Sequence, residues 1–136
     1  MATIPFPAAP ARPDRGVWAG RALSGLAVLF LGLDAGGKLL APALMIANSP
    51  PLGLPATEGF YRLLGAILAV CTALYAWRRT APLGAVLLTG YLGGAVLAHL
   101  RAGSPLFSFT LFPVYLGVVA WVGLALRDAR VRALLA

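Results

Sequence analysis

Apolar residues in this chain occur in four long runs that are separated by short polar or proline-rich segments. Each run approaches the roughly 20 residues that a helix needs to cross the hydrocarbon core of a bilayer. Charged residues are rare within the runs and collect at their ends. The pattern predicts an all-α, integral membrane four-helix bundle, with spans over about 17–38, 60–77, 82–100 and 105–126.

The segments outside these spans contain most of the prolines. Because proline lacks a backbone donor and lipid offers no substitute partner, we interpret residues 39–59 as an extramembrane loop or a segment that lies along the membrane interface. Residues 1–16 are predicted to form a flexible, proline-rich cytoplasmic tail, and residues 128–136 a short basic cytoplasmic tail. The prolines behind this interpretation are Pro5, Pro7, Pro10, Pro13, Pro42, Pro50, Pro51 and Pro55.

The first apolar run also has features of a secretory signal peptide. Basic residues precede it, and Ala41–Ala43 resembles a small-residue cleavage site. Against cleavage, Asp34 and Lys38 interrupt the approach to that site, and the segment before the run is long. We therefore expect the run to be retained as the first transmembrane helix.

The composition excludes several other classes of protein. Hydrophobic residues make up 60% of the chain and charged residues 11%, too few charges to cover a soluble domain and too little polarity for disorder. The net charge is +7, but the arginines stand singly or in pairs and form no continuous basic face for nucleic acid. A single cysteine, Cys71, excludes an intrachain disulfide and a cysteine-ligated zinc or iron–sulfur cluster.

Basic residues in the short flanks of transmembrane helices indicate which side faces the cytoplasm. One side of the predicted topology carries eight of the 11 basic residues, and the other carries Lys38, Arg62 and Arg101. This asymmetry predicts that both termini are cytoplasmic. The eight residues are Arg12, Arg15, Arg21, Arg78, Arg79, Arg127, Arg130 and Arg132.

Glycines at helical spacing predict how the spans pack, since helices in lipid associate through close backbone approach. The first and third spans carry such glycines, and we expect these two helices to form the tightest contact. Pro113 lies inside the fourth span and is expected to kink it. The packing glycines are Gly25, Gly32 and Gly36 in the first span and Gly90 and Gly94 in the third.

The topology brings the remaining charged residues to the outer end of the bundle, where they form a candidate polar pocket. Asp34 with Lys38, and Glu58 with Arg62, are spaced four apart with the acid first, so each pair can form an intrahelical salt bridge. Structural pairing is the stronger interpretation for Glu58, whereas for Asp34 a functional role is equally open. His99 and Arg101 complete the pocket.

His99 is the only histidine and the only side chain that ordinarily titrates near neutrality. It is interpreted either as a helix-end residue hydrogen-bonded to an acid such as Asp34 or Glu58, or as a proton donor or acceptor to a small molecule such as a quinone headgroup. A haem would require a second axial ligand, and zinc would require more ligands than the chain offers. We expect no metal, haem or iron–sulfur cluster.

Several motifs together resemble the DoxX-like family of small four-helix bacterial membrane proteins, from about Leu23 to the C-terminus. The first span ends in an acidic-then-Lys-Leu pattern similar to that of the family. The motifs are Phe30–Leu39, Arg79–Ala85, Leu88–Ala95 followed by His99 and Arg101, Pro105–Ser108, and Leu111–Tyr115.

The resemblance implies a multi-pass protein of the bacterial inner membrane, related in fold to a quinone-linked thiosulfate oxidoreductase subunit. Some relatives are linked to membrane redox or oxidative-stress complexes. Lys38 and His99 match the family's most recognisable polar positions, with Asp34 and Arg101 next. Similar sequences often have a histidine where this chain has Phe109, which speaks against a two-histidine site.

These observations predict a non-catalytic or accessory component of a membrane redox or stress-response complex, because no complete catalytic or cofactor-ligand set is present. One alternative is a quinone-linked oxidoreductase subunit with a headgroup pocket at the outer face. A second is a small oligomeric transporter. The expected partners are membrane lipid, membrane or soluble redox proteins and further copies of the chain, and not nucleic acid.

Overall fold

The computed structural model describes residues 14–136, which form six α-helices and one short π-helical segment, Leu106–Thr110. The helices are α1 (Arg15–Leu40), α2 (Pro42–Asn48), α3 (Glu58–Ala76), α4 (Ala81–Arg101), α5 (Phe112–Arg127) and α6 (Ala129–Leu135). Four segments are long and apolar enough to span a membrane: α1, α3, α4 and Leu106–Arg127. The predicted all-α four-span architecture is therefore confirmed, and the orientation of the termini stays a prediction.

The four long helices pack as a square. α1 packs against α3 and α5, and α4 packs against the same two helices, so α1 and α4 lie on a diagonal. The centre is filled by aliphatic side chains from all four, including Leu31, Leu68, Leu88 and Leu124, each at most 2% exposed. Large apolar side chains such as Leu33, at 69% exposed, cover the outside, as lipid requires.

The predicted contact between the first and third spans was wrong. These spans are α1 and α4, which are diagonal, and at none of the predicted glycines would an added Cβ lie within 4 Å of another helix among the described residues. Helical spacing specifies that glycines share a face, but not which neighbour that face meets. The glycines with open space are Gly25, Gly32, Gly36, Gly90 and Gly94.

A different set of glycines makes the close contacts. A Cβ on Gly84 of α4 would lie 2.2 Å from the backbone nitrogen of Tyr75 in α3. A Cβ on Gly123 of α5 would lie 2.8 Å from the backbone nitrogen of Ser24 in α1. Gly20 and Gly65 are equally crowded, so these four positions set the helix separations.

The prolines within the third and fourth spans fall at helix starts rather than inside helices. The fourth span is interrupted at Leu111: the π-helical segment precedes it, and α5 begins at Phe112 with Pro113 in its first turn. The predicted kink inside a continuous helix is therefore corrected to a break, because a first-turn proline gives up no intrahelical hydrogen bond. Pro42 likewise opens α2.

The segments predicted as loop and tails are more ordered than proline content and charge indicate. Residues 39–59 include α2, and a Cβ added to Gly37 would lie 2.9 Å from the Met45 sulfur. The basic tail forms α6, whose Val131 is 2% exposed. Residues 15 and 16, assigned to the first tail, begin α1, whereas the prediction for residues 1–13 lies outside the described residues.

Candidate functional site

Asp34 and Lys38 form an ion pair within the last two turns of α1. The Lys38 side chain is 14% exposed and that of Asp34 28% exposed, so the pair is partly shielded. Shielding comes from α3: a Cβ on Gly65 would lie 2.8 Å from the Lys38 Cβ. The predicted intrahelical salt bridge is confirmed, and the lysine stem packs where α1 and α3 approach closely.

Glu58 and Arg62 form the second predicted pair in the first turns of α3. Their closest approach is 3.5 Å, and both side chains are more than half exposed, at 56% and 57%. Such exposed pairs contribute little to stability, because water screens the charges and the side chains lose freedom. The structural interpretation of Glu58 therefore fits this geometry.

His99 has a partner that the sequence did not indicate. Its Nδ1 lies 3.1 Å from the Ser104 hydroxyl, and its ring centre lies 6.1 Å from that of Phe109. Neither Asp34 nor Glu58 is its hydrogen-bond partner, so the predicted acid–histidine bond was wrong. The reason is the turn after α4, which folds Ser104 back so that its backbone nitrogen also donates to the His99 carbonyl at 3.0 Å.

Arg101 points to another part of the outer end, the loop between α2 and α3. A Cβ on Gly53, which has a φ of 67°, would lie 3.2 Å from Arg101 Nη2. The six predicted pocket residues therefore share one end of the bundle, but they form separate local groups there. Asp34 with Lys38, Glu58 with Arg62, and His99 with Ser104 each bond within one stretch of chain.

An apolar groove runs between α4 and α5 on the outside of the bundle, with a volume of about 370 Å³. Thr89 and Trp121 close one end, where the indole nitrogen donates to the threonine hydroxyl at 2.8 Å. Val96 and Pro113 lie towards the other end, and His99 is one helical turn beyond Val96. His99 therefore lies beyond the end of the groove and does not line it.

The family model described as the DoxX-like family matches residues 22–123. The match covers α3 and α4 in full and most of α1 and α5. The chain belongs to the DoxX-like family. No curated protein and no solved structure matched the chain.

In this DoxX-like chain, the matched region contains all six predicted pocket residues. It also contains the groove, whose lining runs from Thr89 to Val122. No group of three or more His, Cys, Asp or Glu side chains that could hold a metal ion occurs within residues 14–136. The expectation that the protein uses no metal or haem stays a prediction.

Sequence reasoning missed a buried polar cluster at the opposite end of the DoxX-like bundle. Tyr75 is fully buried, and its hydroxyl donates to the Ala120 carbonyl at 2.6 Å and is hydrogen-bonded to the Ser24 hydroxyl at 3.0 Å. Arg127 donates to the Tyr75 carbonyl at 3.0 Å, with its guanidinium 5.2 Å from the tyrosine ring centre. The cluster joins α1, α3 and α5.

One sequence signal could have indicated this cluster. Gly20 and Ser24 are small residues four apart, the same spacing as that of Gly90 and Gly94. Both are buried in the structure, and both meet α5 at Gly123. A small polar residue within such a pair can accept a hydrogen bond from a tyrosine of a neighbouring helix, because the helix backbones are already close.

Proposed function

We propose that this DoxX-like protein is a non-catalytic accessory component of a membrane redox or stress-response complex of the bacterial inner membrane. It docks a transmembrane helix of another protein on the outer face of α4. The observation that carries this proposal is the open space at Gly90 and Gly94: beyond the backbone of α4 itself, no atom of residues 14–136 would lie within 4 Å of an added Cβ.

The two sides of α4 both carry glycine, but only one of them packs within the bundle. Gly84 and Leu88 lie on its core side and are buried, whereas Gly90 and Gly94 lie on the exposed side. On the core side, glycine lets the backbone of α3 approach to 2.2 Å from a notional Cβ. In lipid, the GxxxG spacing of Gly90 and Gly94 on the exposed face lets another helix approach closely in the same way.

α1 carries a second open glycine face on a different side of the bundle. Gly25, Gly32 and Gly36 share one face of α1 and have no neighbour within 4 Å of an added Cβ among the described residues. Because α1 and α4 are diagonal, the two faces cannot both meet a single helix. Two unlike faces suit a component placed between other membrane proteins better than a symmetric dimer, which uses one self-complementary face.

The test is affinity purification of the tagged protein from crosslinked native membranes. Gly90→Ile with Gly94→Ile fills the face, and Leu83→Ile with Leu97→Ile is the matched control, since both leucines are exposed on the same side of α4. We expect a partner with a flavin, haem or iron–sulfur absorbance to be recovered with the wild type and the control. The glycine variant should lose it while remaining monodisperse in detergent.

Other outcomes of this purification count against the proposal. Recovery of a second copy of the chain alone would replace the accessory role by homo-oligomerisation. Equal recovery with the glycine variant would show that α4 is not the docking face. A chromophore that stays with the isolated chain would show that the protein is itself a redox component.

A second candidate function, quinone binding, is favoured by the groove between α4 and α5. An isoprenoid tail requires an apolar channel, and a volume of about 370 Å³ is within the usual range for ligand pockets. His99, whose ring contacts Ser104 and Phe109, lies one helical turn beyond the groove lining, so a headgroup that extends past Val96 could exchange a proton with it. A bound quinone would supply the two-electron redox chemistry.

This candidate is tested by extracting quinone from purified protein and quantifying it against protein. Gly93→Leu blocks the groove, since Gly93 lines it and faces open space, and Phe107→Leu changes an exposed residue outside it. We expect quinone to be retained by the wild type and Phe107→Leu and lost from Gly93→Leu. Equal quinone content in all three would exclude the groove as its site.

A further inference from the structure

A basic cleft lies at the end of the bundle that carries α6. Its volume is about 540 Å³, and its lining residues are Ala76, Trp77, Arg78, Arg79 and Arg130. The first four belong to the end of α3 and the turn into α4, whereas Arg130 comes from α6. Because α3 ends at Ala76 and α4 begins at Ala81, the cleft is at the boundary of two membrane spans.

Arg130 is fixed in position by its own bonds. Its Nε and Nη2 donate to the two carboxylate oxygens of Asp128 at 3.1 and 2.8 Å, and Nη2 also donates to the Arg78 carbonyl at 3.0 Å. The hydrogen bonds and charge of Arg130 hold the pKa of Asp128 below its ordinary value. α6 is thereby joined to the turn between α3 and α4, and one wall of the cleft is preformed.

Arg78 and Arg79 have no acidic partner among the described residues. The chain contains only four acids, and each is engaged elsewhere: Asp14 caps α1, Asp34 pairs with Lys38, Glu58 with Arg62, and Asp128 with Arg130. Two uncompensated arginines beside a third create a strong positive potential. A planar guanidinium group can donate two parallel hydrogen bonds to the oxygens of one phosphate. A phosphate group is therefore a suitable counter-ion for these arginines.

Trp77 indicates that the cleft lies at the depth of the lipid headgroups. Its side chain is 69% exposed, and tryptophan concentrates at the interface between hydrocarbon and water. A ligand in the cleft therefore has polar surroundings on one side and acyl chains on the other. We propose that the cleft binds a phosphate group, and that the phosphate is the headgroup of an anionic membrane lipid, held by Arg78, Arg79 and Arg130.

The proposal is independent of the accessory role, because the cleft shares no residue with the outer face of α4. It also differs from the general attraction of basic flanks to anionic membranes. General attraction would depend on the number of charges at this end, where Arg15 and Arg21 also lie, whereas a site depends on the residues that line it.

The experiment measures lipid binding to the purified full chain by native mass spectrometry, using phosphatidylglycerol, phosphatidylcholine and inorganic phosphate as probes. The variants are Arg78→Gln with Arg79→Gln, and Arg15→Gln with Arg21→Gln as a control of equal charge at the same end. We expect one tightly retained phosphatidylglycerol. Loss of both cleft arginines should weaken its affinity about 100-fold, because each removed arginine loses a charge-assisted hydrogen bond that contributes about 10-fold or more.

The control and the three probes decide between the remaining outcomes. A loss of about 100-fold in the cleft variant, with less than about 30-fold in the control, supports the site, because about 30-fold is the loss that general attraction gives for two charges. Displacement of phosphatidylglycerol by millimolar inorganic phosphate would support a phosphate site but would assign it to a soluble phosphate and not to a lipid. Equal losses in both variants, or equal retention of phosphatidylcholine, would overturn it. Arg78→Lys with Arg79→Lys keeps the charge but not the paired donors, so it should weaken binding by less than the glutamine variant does; it replaces that variant if the latter misfolds.

Discussion

The two ends of the bundle use their polar residues in different ways. At the end with α6, Tyr75 bonds to residues of α1 and α5, and Arg127 bonds back to α3. At the other end, Asp34, Glu58 and His99 bond only to residues four or five positions away in the chain. The first end is joined by polar contacts between helices, whereas the second is held by packing and local pairs.

This difference indicates where structure and function are to be sought. The interhelical hydrogen bonds of the Tyr75 cluster hold α1, α3 and α5 together. Substitutions in this cluster should therefore affect folding. Local pairs at the outer end hold no helix to another, so their residues can be changed with less harm to the fold. Binding is therefore better sought where side chains are not used between helices: at the outer end, on the exterior faces and in the basic cleft beside α6.

The largest expected effect comes from Gly84→Ala. An added Cβ would lie 2.2 Å from the Tyr75 backbone nitrogen, and backbone cannot move aside cheaply. We expect a loss of about 3 kcal/mol or more in unfolding free energy. The control is Gly90→Ala on the same helix, which faces open space and should raise helix stability by up to about 1 kcal/mol. Reversible unfolding in mixed micelles measures both, and equal effects would contradict the packing.

A smaller effect is expected from Tyr75→Phe, which removes the hydroxyl from the buried cluster. The Ala120 carbonyl and the Ser24 hydroxyl then lose their shared partner, at a cost of about 1–2 kcal/mol. Tyr115→Phe is the matched control, because Tyr115 is 46% exposed and should be nearly neutral. If the two variants unfold alike, the end with α6 is not joined through Tyr75.

Breaking the two ion pairs at the outer end should change the unfolding free energy by less than the substitutions above, and by different amounts for the two pairs. Lys38→Met leaves the Asp34 carboxylate partly shielded and without its partner, and we expect a loss of about 1 kcal/mol, discounted because the group is 28% exposed. Arg62→Met breaks a pair that is more than half exposed and should change stability within measurement error. A larger loss in Arg62→Met would show that Glu58 and Arg62 hold more than their own helix turn.

The smallest effect concerns the pH dependence contributed by Asp128. Because Arg130 lowers the pKa of the Asp128 carboxyl, its stabilisation is present above the ordinary pKa of about 4 and is lost as the pH falls through the lowered folded-state value. Melting temperatures between pH 7 and pH 3 should fall slightly more for the wild type than for Asp128→Asn. Parallel curves would show that α6 is not held through this pair.

The sequence alone determined the number of spans, the two intrahelical ion pairs and the family resemblance. Each of these depends on residues close together in the chain: run length, spacing of four, and contiguous motifs such as Phe30–Leu39. Lipid strengthens such inferences, because it imposes helical hydrogen bonding on every apolar run long enough to cross it.

Only the tertiary structure decided which faces meet. Gly25 and Gly90 have the spacing of packing residues yet face open space, whereas Gly84 and Gly123 approach neighbouring backbones closely. Ser104, rather than an acid, bonds to His99, and Tyr75 joins three helices. In lipid, outward and inward faces are both apolar, so hydrophobicity does not distinguish them. The rotation of each helix is chosen by close contacts between residues far apart in sequence.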